Sequence, residues 1–411
     1  MARAIGRAAR LPAVLALVAC VGAGGDGAVS AEAEMITFRE PCEAGTRITV
    51  AAVGDLLFHK RLQLEAYAKG RDFRQFWEPV ADILAGADLT YGNLEGPVAD
   101  GVAVGGRAAK KDPGRRLDGI VYSADLKTLN FNYHPSVIPD LIASGFDLVS
   151  TANNHAMDRG VLGIDRTVDN LDRYGLPFTG TRKAGETTRA WSVVTRADGL
   201  NVAWLACTYS LNGMPDRKSQ VLFCFEEREW LLAEIRKLAS DPAVDAVMVT
   251  PHWGIEDSHG VEQRARALAR DMIDAGATAV IGAHPHVLQP WEKVVARDGR
   301  EGLVIYSLGN FVSNQRKLPQ RTGAIALIEL TKPATGGRAR VTAAGFIPTW
   351  VEIDGRGHRA VELTGGRGQS MGVLKAALRL LPDGNRVLSS SLPHLPGACR
   401  AVAEAAAPES P

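Results

Sequence analysis

Phe146-Asp147-Leu148-Val149-Ser150-Thr151-Ala152-Asn153-Asn154-His155-Ala156-Met157-Asp158 runs from a short apolar stretch into a turn carrying an amide, an imidazole and a carboxylate. Residues 146–150 read as a buried strand, and Asn154 and His155 follow it closely. The same arrangement recurs along the chain. A strand over 48–53 ends at Gly54-Asp55, and one over 88–91 leads into Gly92-Asn93-Leu94-Glu95. A strand over 246–250 delivers His252-Trp253-Gly254, and one over 278–281 delivers Gly282-Ala283-His284-Pro285-His286. A parallel sheet gathers the residues at its strand ends into one crevice. Asp, Glu, Asn and His all ligate divalent metals. The pattern therefore points to a two-metal centre at the edge of an α/β sheet, the kind of centre that attacks phosphate esters.

Each member has a simpler reading in isolation. Asp55 and Glu95 suit turns or helix caps. Asn154 and His155 suit a turn with local side-chain bonds. His252 suits a structural role, and His284 and His286 suit a surface loop. Their joint placement decides between the readings. Of nine histidines, five (His59, His155, His252, His284 and His286) fall at or near predicted strand ends. A random scatter would rarely do that, so a shared polar site is expected.

Between the motifs, apolar spacing predicts helices over 62–68, 76–84, 137–144, 163–174, 226–238 and 264–275. Gly175 and Gly276 stop two of them. Further strands are expected over 191–195, 202–206, 303–308, 324–330 and 341–347. Alternating strands and helices from 48 to 286 indicate a layered α/β fold, with a second sheet or antiparallel edge beyond 300. Residues 98–132 are weakly patterned and read as a long surface excursion, a length usual for lids or binding segments. The expected organisation is a leader over 1–20, a flexible tether over 21–45, one catalytic domain over 46–350, and a C-terminal extension over 351–411 with a disordered end.

The chain has 411 residues, 46% of them hydrophobic and 23% charged, which is ordinary for a globular protein with a large core. The formal charge is +1, with no basic stretch beyond the N-terminus, so nucleic acid is excluded as a partner. Arg3, Arg7 and Arg10 precede an apolar run over 11–21, too short for a mature membrane span and suited to a signal peptide. Losing those three cations would take the net charge from +1 to −2. Leu17-Val18-Ala19-Cys20 resembles a bacterial lipobox, implying a lipid anchor at Cys20. The alternative is cleavage among the small residues 28–33. Either route is expected to take the protein out of the cytosol, to the cell envelope as a membrane-anchored lipoprotein or to the periplasm or exterior. There Cys42, Cys207, Cys224 and Cys399 are expected in disulfides. Cys207 and Cys224 could staple a loop, and Cys42 and Cys399 could tie the ends, with all three pairings open.

Gly54-Asp55, Asn93-Leu94-Glu95, Asn153-Asn154-His155, His252-Trp253-Gly254, Gly282-Ala283-His284-Pro285-His286 and Ser307-Leu308-Gly309-Asn310-Phe311 occur in this order. Together they resemble the CapA family of poly-γ-glutamate capsule biosynthesis proteins, over roughly residues 47–315. That family is similar to the calcineurin-like metallophosphoesterases. The resemblance implies a four-layer α/β/β/α sandwich with two divalent ions (Mn, Fe or Zn). It implies Asp55, Glu95, Asn154, His252, His284 and His286 as metal ligands, with Asn93 a lesser alternative to Glu95 as the bridging residue. It implies His155 as the proton donor to the leaving group, and Asn310 as support for the ligand shell. Leu57 stands where phosphoesterases carry a histidine, with His59 two positions on as a further catalytic candidate; His59 or His252 could neutralise charge on the phosphoryl group. Ala156 stands where they carry an acid, with Asp158 the nearest substitute. The implied role is hydrolysis of a phosphoester or related bond in the making or processing of an extracellular polymer. The alternative is a non-catalytic accessory subunit of a membrane polymer synthase or export complex.

Overall fold

The computed structural model describes residues 35–40, 43–125, 130–366, 371–382, 384–387 and 395. The expected leader, Cys20, Cys42, Cys399 and the end of the chain lie outside the described residues. The first half runs β1 (Gly45–Leu56), α1 (Lys60–Tyr67), α2 (Ala81–Ala85), β2 (Leu89–Leu94), two short hairpins β3 (Val102–Ala103) with β4 (Arg107–Ala108) and β5 (Ser123–Asp125) with β6 (Asn130–Asn132), then α3 (Val137–Ile142), β7 (Leu148–Ser150), α4 (Gly160–Tyr174) and β8 (Phe178–Thr179). The second half runs β9 (Ser192–Ala197), β10 (Leu200–Thr208), α5 (Arg228–Ser240), β11 (Ala246–His252), α6 (Gln263–Ala275), β12 (Ala279–Ile281), β13 (Leu288–Val295), β14 (Glu301–Leu308), β15 (Asn310–Val312), β16 (Thr322–Pro333), β17 (Arg340–Asp354), β18 (Gly357–Glu362) and α7 (Met371–Leu378).

Two sheets form the centre. The first has the order β18-β17-β16-β1-β2-β7-β8, with β15 pairing the end of β1, and the second has the order β13-β14-β12-β11-β10-β9. Their facing sides share one core. Val50 and Ala52 of β1, Tyr91 of β2, Trp204 of β10, Met248 of β11 and Ile305 of β14 are all buried in it. Trp204 stacks on Tyr91 across the gap, with ring centroids 5.4 Å apart. Alternate residues point to the outer faces. On the first sheet Ala51, Val53 and Val149 meet Leu62, Ile138, Ile164 and Val168 from α1, α3 and α4. On the second, Ala203, Val247 and Val249 meet Leu231, Ile235, Leu268 and Met272 from α5 and α6. The result is a four-layer α/β/β/α sandwich, as the resemblance implied. Among the described residues, no helix is long and apolar enough to cross a membrane.

Four expectations change. Residues 35–40 are not tether: Ile36 and Phe38 are buried in the inter-sheet core, and the Ile36 N–H donates to Asn385 Oδ1 at 2.7 Å. The first sheet continues through position 350 to the end of β18, because β17 spans that point and pairs with β18 over six residues. The helix expected over 76–84 is broken into 3-10 turns at Phe73–Phe76 and Glu78–Val80 before α2. Pro79 supplies no N–H for a continuous helix there. The stretch 98–132 is not wholly at the surface, since Val98, Val102, Tyr122 and Phe131 are buried.

Candidate metal centre

The register of the first sheet sets polar residues side by side at one edge. Asp55 pairs with Asn93 on one side and Asn310 on the other, and Asn93 pairs with Ser150. β1 approaches its neighbour so closely that a Cβ on Gly54 would lie 1.9 Å from the Gly309 carbonyl oxygen, so only glycine fits before Asp55. In the second sheet, β11 ends at His252, and backbone bonds from Trp253 N–H to Ala283 O (3.0 Å) and Ala283 N–H to Pro251 O (3.1 Å) lay the next turn alongside. A Cβ on Gly282 would lie 2.1 Å from the Tyr306 oxygen. His284 (φ 102°) and His286 (φ 58°) then take left-handed backbone conformations. Non-glycine residues hold such conformations at a cost of about 1–3 kcal/mol, and they concentrate where side chains must be aimed.

The sheets bring these residues together. Asp55, Glu95, Asn154, His252, His284 and His286 are each at most 3% exposed. Ligand atoms of Glu95, His284 and His286 all lie within 4.8 Å of one another, as do those of Asp55, Glu95 and His252. Glu95 belongs to both groups. Asn93 is a brace beside them: its Nδ2 donates to Asp55 Oδ1 at 2.8 Å and lies 3.2 Å from His252 Nδ1. Its Oδ1 accepts from the Ser150 hydroxyl at 2.9 Å, which in turn meets Tyr91 OH at 2.8 Å. Asn154 Oδ1 is 3.0 Å from His252 Nε2, while its Nδ2 donates to Asn212 Oδ1 at 3.3 Å. His286 Nδ1 sits 3.0 Å from Asp55 Oδ2 and 3.1 Å from Asn310 Oδ1.

The electrostatics are those of a cation site. Both carboxylate oxygens of Glu95 are fully buried without a hydrogen-bond partner. The nearest imidazole nitrogens are 3.7 Å (His252) and 3.8 Å (His286) away. Burial, and then the charge of Asp55, push the Glu95 carboxyl well above the usual carboxylate range. A buried carboxylate without a hydrogen bond costs several kcal/mol, and a positive charge, the His286 ring or a bound cation, offsets the penalty. Burial pulls His286 down, but Glu95 and the bond to Asp55 outweigh it and raise the ring to about 10. Burial and then the neighbouring imidazoles hold His252 and His284 well below their ordinary value, and so neutral. Two acids, an amide, the neutral imidazoles of His252 and His284, and His286, whose proton a metal would have to displace, form a mixed oxygen and nitrogen donor set that fits a divalent transition metal.

His155 joins neither donor group. Its Nδ1 is 2.9 Å from Asp158 Oδ2, which also accepts the Phe131 N–H at 2.7 Å, and the Phe131 ring stands edge-on to the imidazole at 4.5 Å. Asp158 thus orients the ring of His155. Burial raises the Asp158 carboxyl against the opposing bond from His155. His59 also lies outside both groups. Its Nδ1 accepts the Asn314 N–H at 3.2 Å, and burial, then the charge of His286, lower it to about 3. Leu57 is 2% exposed and apolar. Sequence reasoning did not find Ser150, Phe131, Tyr209 or Asn212. Ser150 was visible as the polar end of a predicted strand. Phe131, Asn212 and Tyr209, whose ring centroid lies 4.6 Å from that of His284, sit in segments without periodicity.

Cys207 and Cys224 form a buried disulfide between the end of β10 and the following loop. The same loop carries Tyr209 and Asn212 to the centre, so one of the expected pairings braces this edge of the site.

The sequence profile of the family described as "Bacterial capsule synthesis protein PGA_cap" matches residues 49–315. The PGA biosynthesis protein CapA of Bacillus subtilis is 29% identical over 294 residues, 70% of this chain and 69% of that protein. The capsule biosynthesis protein CapA of Bacillus anthracis is 30% identical over 275 residues, and the match spans 66% of this chain and only 60% of that protein's length. Among solved structures, the NAD nucleotidase of Haemophilus influenzae overlaps 78% of this chain and 54% of its own at 11% identity, with a TM-score of 0.43. By the profile match across the strands and turns that build this centre, the chain belongs to the bacterial capsule synthesis protein family.

Proposed function

We propose that this protein is an exported, metal-dependent hydrolase that cleaves a phosphoester or related bond in the making or processing of a poly-γ-glutamate-type polymer. The observation that carries the reading is the buried carboxylate of Glu95, which has no hydrogen-bond partner and is shared by two donor groups. On this reading Glu95, Asp55, Asn154, His252, His284 and His286 would hold the divalent cations, with Glu95 common to both donor groups. Bound there, the cations supply Lewis acidity and lower the pKa of water toward neutrality.

The protein's own residues divide the remaining work. The Asp158 carboxylate accepts the Nδ1–H of His155, and a ring that also carries an Nε2–H would pass that second proton to the departing oxygen. Asn310 and Asn93 hold His286 and Asp55 in register. Export is supported by the basic and apolar start of the chain and by the Cys207–Cys224 disulfide, which suits an oxidising compartment. Membrane attachment at Cys20 and association with synthase or export subunits belong to the same reading.

A second reading, a non-catalytic accessory subunit, is favoured by Leu57 and by the engagement of His59 with Asn314. Both leave the Asp55 side without the histidine that the phosphoesterase resemblance leads one to expect. Metal analysis of the purified protein, with turnover of a generic phosphoester by wild type and His155→Ala, separates the two. The hydrolase reading expects bound metal and a rate loss of roughly 10²–10⁴ in the variant. Bound metal with equal background turnover by both proteins favours the accessory subunit.

A further inference from the structure

The sheets have a second end, remote from the metal centre. Thr46 near the start of β1 pairs with Lys332, and the neighbouring Thr331 pairs with Arg340 at the start of β17. Asp55 lies at the other end of β1, about 30 Å away at about 3.3 Å per residue. Thr278 and Glu301 likewise precede the paired strands β12 and β14, whose far ends lead to the histidines and Asn310. A cavity of about 390 Å³ takes its walls from this end of both sheets: Thr278, Arg300 and Glu301 from the second, Arg338 and Arg340 from the first, with Arg39 from the strap before β1.

Most of its charges are already paired. Glu301 accepts the Arg39 N–H at 2.8 Å and faces Lys293 Nζ at 3.2 Å. Arg300 Nε donates to Asp298 Oδ2 at 2.7 Å, and Arg340 pairs with Glu40 at 2.8 Å and Glu43 at 2.6 Å. Arg338 is the exception. Its Nη1 donates to the Gly276 carbonyl at 3.1 Å, but Nε and Nη2 are buried without a hydrogen-bond partner. Asp245, the acid that acts on it, is engaged with Lys332 at 2.6 Å. Burial and then the charge of Arg300 pull the guanidinium below its ordinary range. The two unmet nitrogens form the side edge of the guanidinium, whose parallel N–H bonds match two oxygens of one carboxylate or phosphate group.

We propose that this cavity binds a small oxyanion, a phosphate group or a compact carboxylate, which takes the free edge of Arg338. The volume lies in the range of small-molecule sites. An anion seated there meets residues of both sheets and ties them together at the end where the metal donors are absent. The proposal stands apart from the hydrolase reading.

The test is thermal unfolding of the full chain, as purified, in sodium phosphate, sodium malonate and sodium chloride at matched ionic strength. Saturating oxyanion should raise the wild-type midpoint by about 2–4 °C more than it raises Arg338→Gln or Arg338→Lys. Titrations should place the apparent affinity of each variant roughly tenfold below wild type, because lysine keeps the charge but loses the fork. Arg196→Gln, which removes an exposed charge from β9, should respond as wild type. Arg338→Lys should match wild type in chloride, which keeps the comparison sound if glutamine disturbs the fold. A response to phosphate alone identifies a phosphate group, and a response to malonate alone a carboxylate. Exclusion of these salts from the surface, or phosphate at the metal centre, raises wild type and Arg338 variants alike. An equal rise in all of them therefore overturns the proposal, as does a wild-type response to chloride that matches the oxyanions. Loss of phosphoesterase turnover in His155→Ala, or its absence in wild type, leaves this result unchanged.

Discussion

The two sheets contribute different chemistry to one centre. The first brings the oxygen donors: Asp55 at the end of β1, Glu95 after β2, and Asn154 after β7. The second brings the nitrogen donors: His252 at the end of β11, with His284 and His286 after β12. Neither set is at ease alone. The acids crowd each other in a dry place, and burial strips His252 and His284 of charge. A metal held by the proposed set would couple its binding to the docking of the sheets, because these side chains meet only when the layers do.

The sharpest way to break that coupling is to loosen the layers themselves. Trp204 is fully buried between the sheets, stacked on Tyr91 and bonded through Nε1 to Thr195 Oγ1 at 2.9 Å. Trp204→Ala should lower the stability of the metal-free protein by about 3–5 kcal/mol in urea unfolding. A loss under ~1 kcal/mol would mean that the halves are joined chiefly elsewhere.

The next effect separates the two donor sets. If two cations share Glu95 as proposed, Glu95→Gln should weaken both, by more than the roughly 10–100-fold in affinity typical of losing an outer partner. His286→Gln, on the other sheet, should remove one. Elemental analysis after dialysis reads the difference. Equal losses from both variants would show that Glu95 is not shared.

A smaller effect is expected behind the oxygen donors. Ser150→Ala leaves Asn93 Oδ1 and Tyr91 OH without their shared partner. Thermal or urea unfolding should show a loss of about 1–3 kcal/mol, the penalty for unpaired buried polar groups. Metal affinity should fall less than in either ligand variant. No change in stability would place the hydroxyl outside the brace that steadies Asp55.

The candidate ligands were legible in the sequence because they stand at or just after short apolar strands, several of them beside a glycine. Gly54 and Gly282 are examples: the close approach that demands glycine is local in sequence, although its partners at Gly309 and Tyr306 are not. β13 escaped notice because Pro290 interrupts it, and proline is tolerated there only because β13 is a sheet edge. The inner part of the excursion escaped for another reason. Asn132 Nδ2 holds the carbonyls of Ala99 and Val121 at 2.7 and 2.8 Å, and such side-chain-to-backbone anchoring leaves no period to read. Ile36 and Phe38 were hidden by a small-residue context that reads as linker, and only the inter-sheet core to which they add explains them.

The smallest expected effect lies away from the centre, where the first sheet is fastened to its helix layer. Glu65 of α1 accepts the His358 N–H at 3.0 Å and lies 3.1 Å from His358 Nδ1, with Arg61 Nε donating to it at 2.9 Å. Burial pushes the carboxyl up, but these bonds prevail and lower it to about 2. The unfolded value is about 4.3, so the folded group binds its proton less readily. Its contribution is therefore complete above the unfolded value and is lost as pH falls from about 4 toward 2. Water screens the exposed side of the group, so the amount is below about 1 kcal/mol. Urea midpoints of chelator-treated wild type and Glu65→Gln should differ at pH 5 and converge as the pH drops toward 3. A difference that stayed constant would assign the fastening to hydrogen bonds that glutamine keeps, and His358 Nε2, 2.8 Å from Asn314 Oδ1, would then hold the loop behind His59 without help from charge.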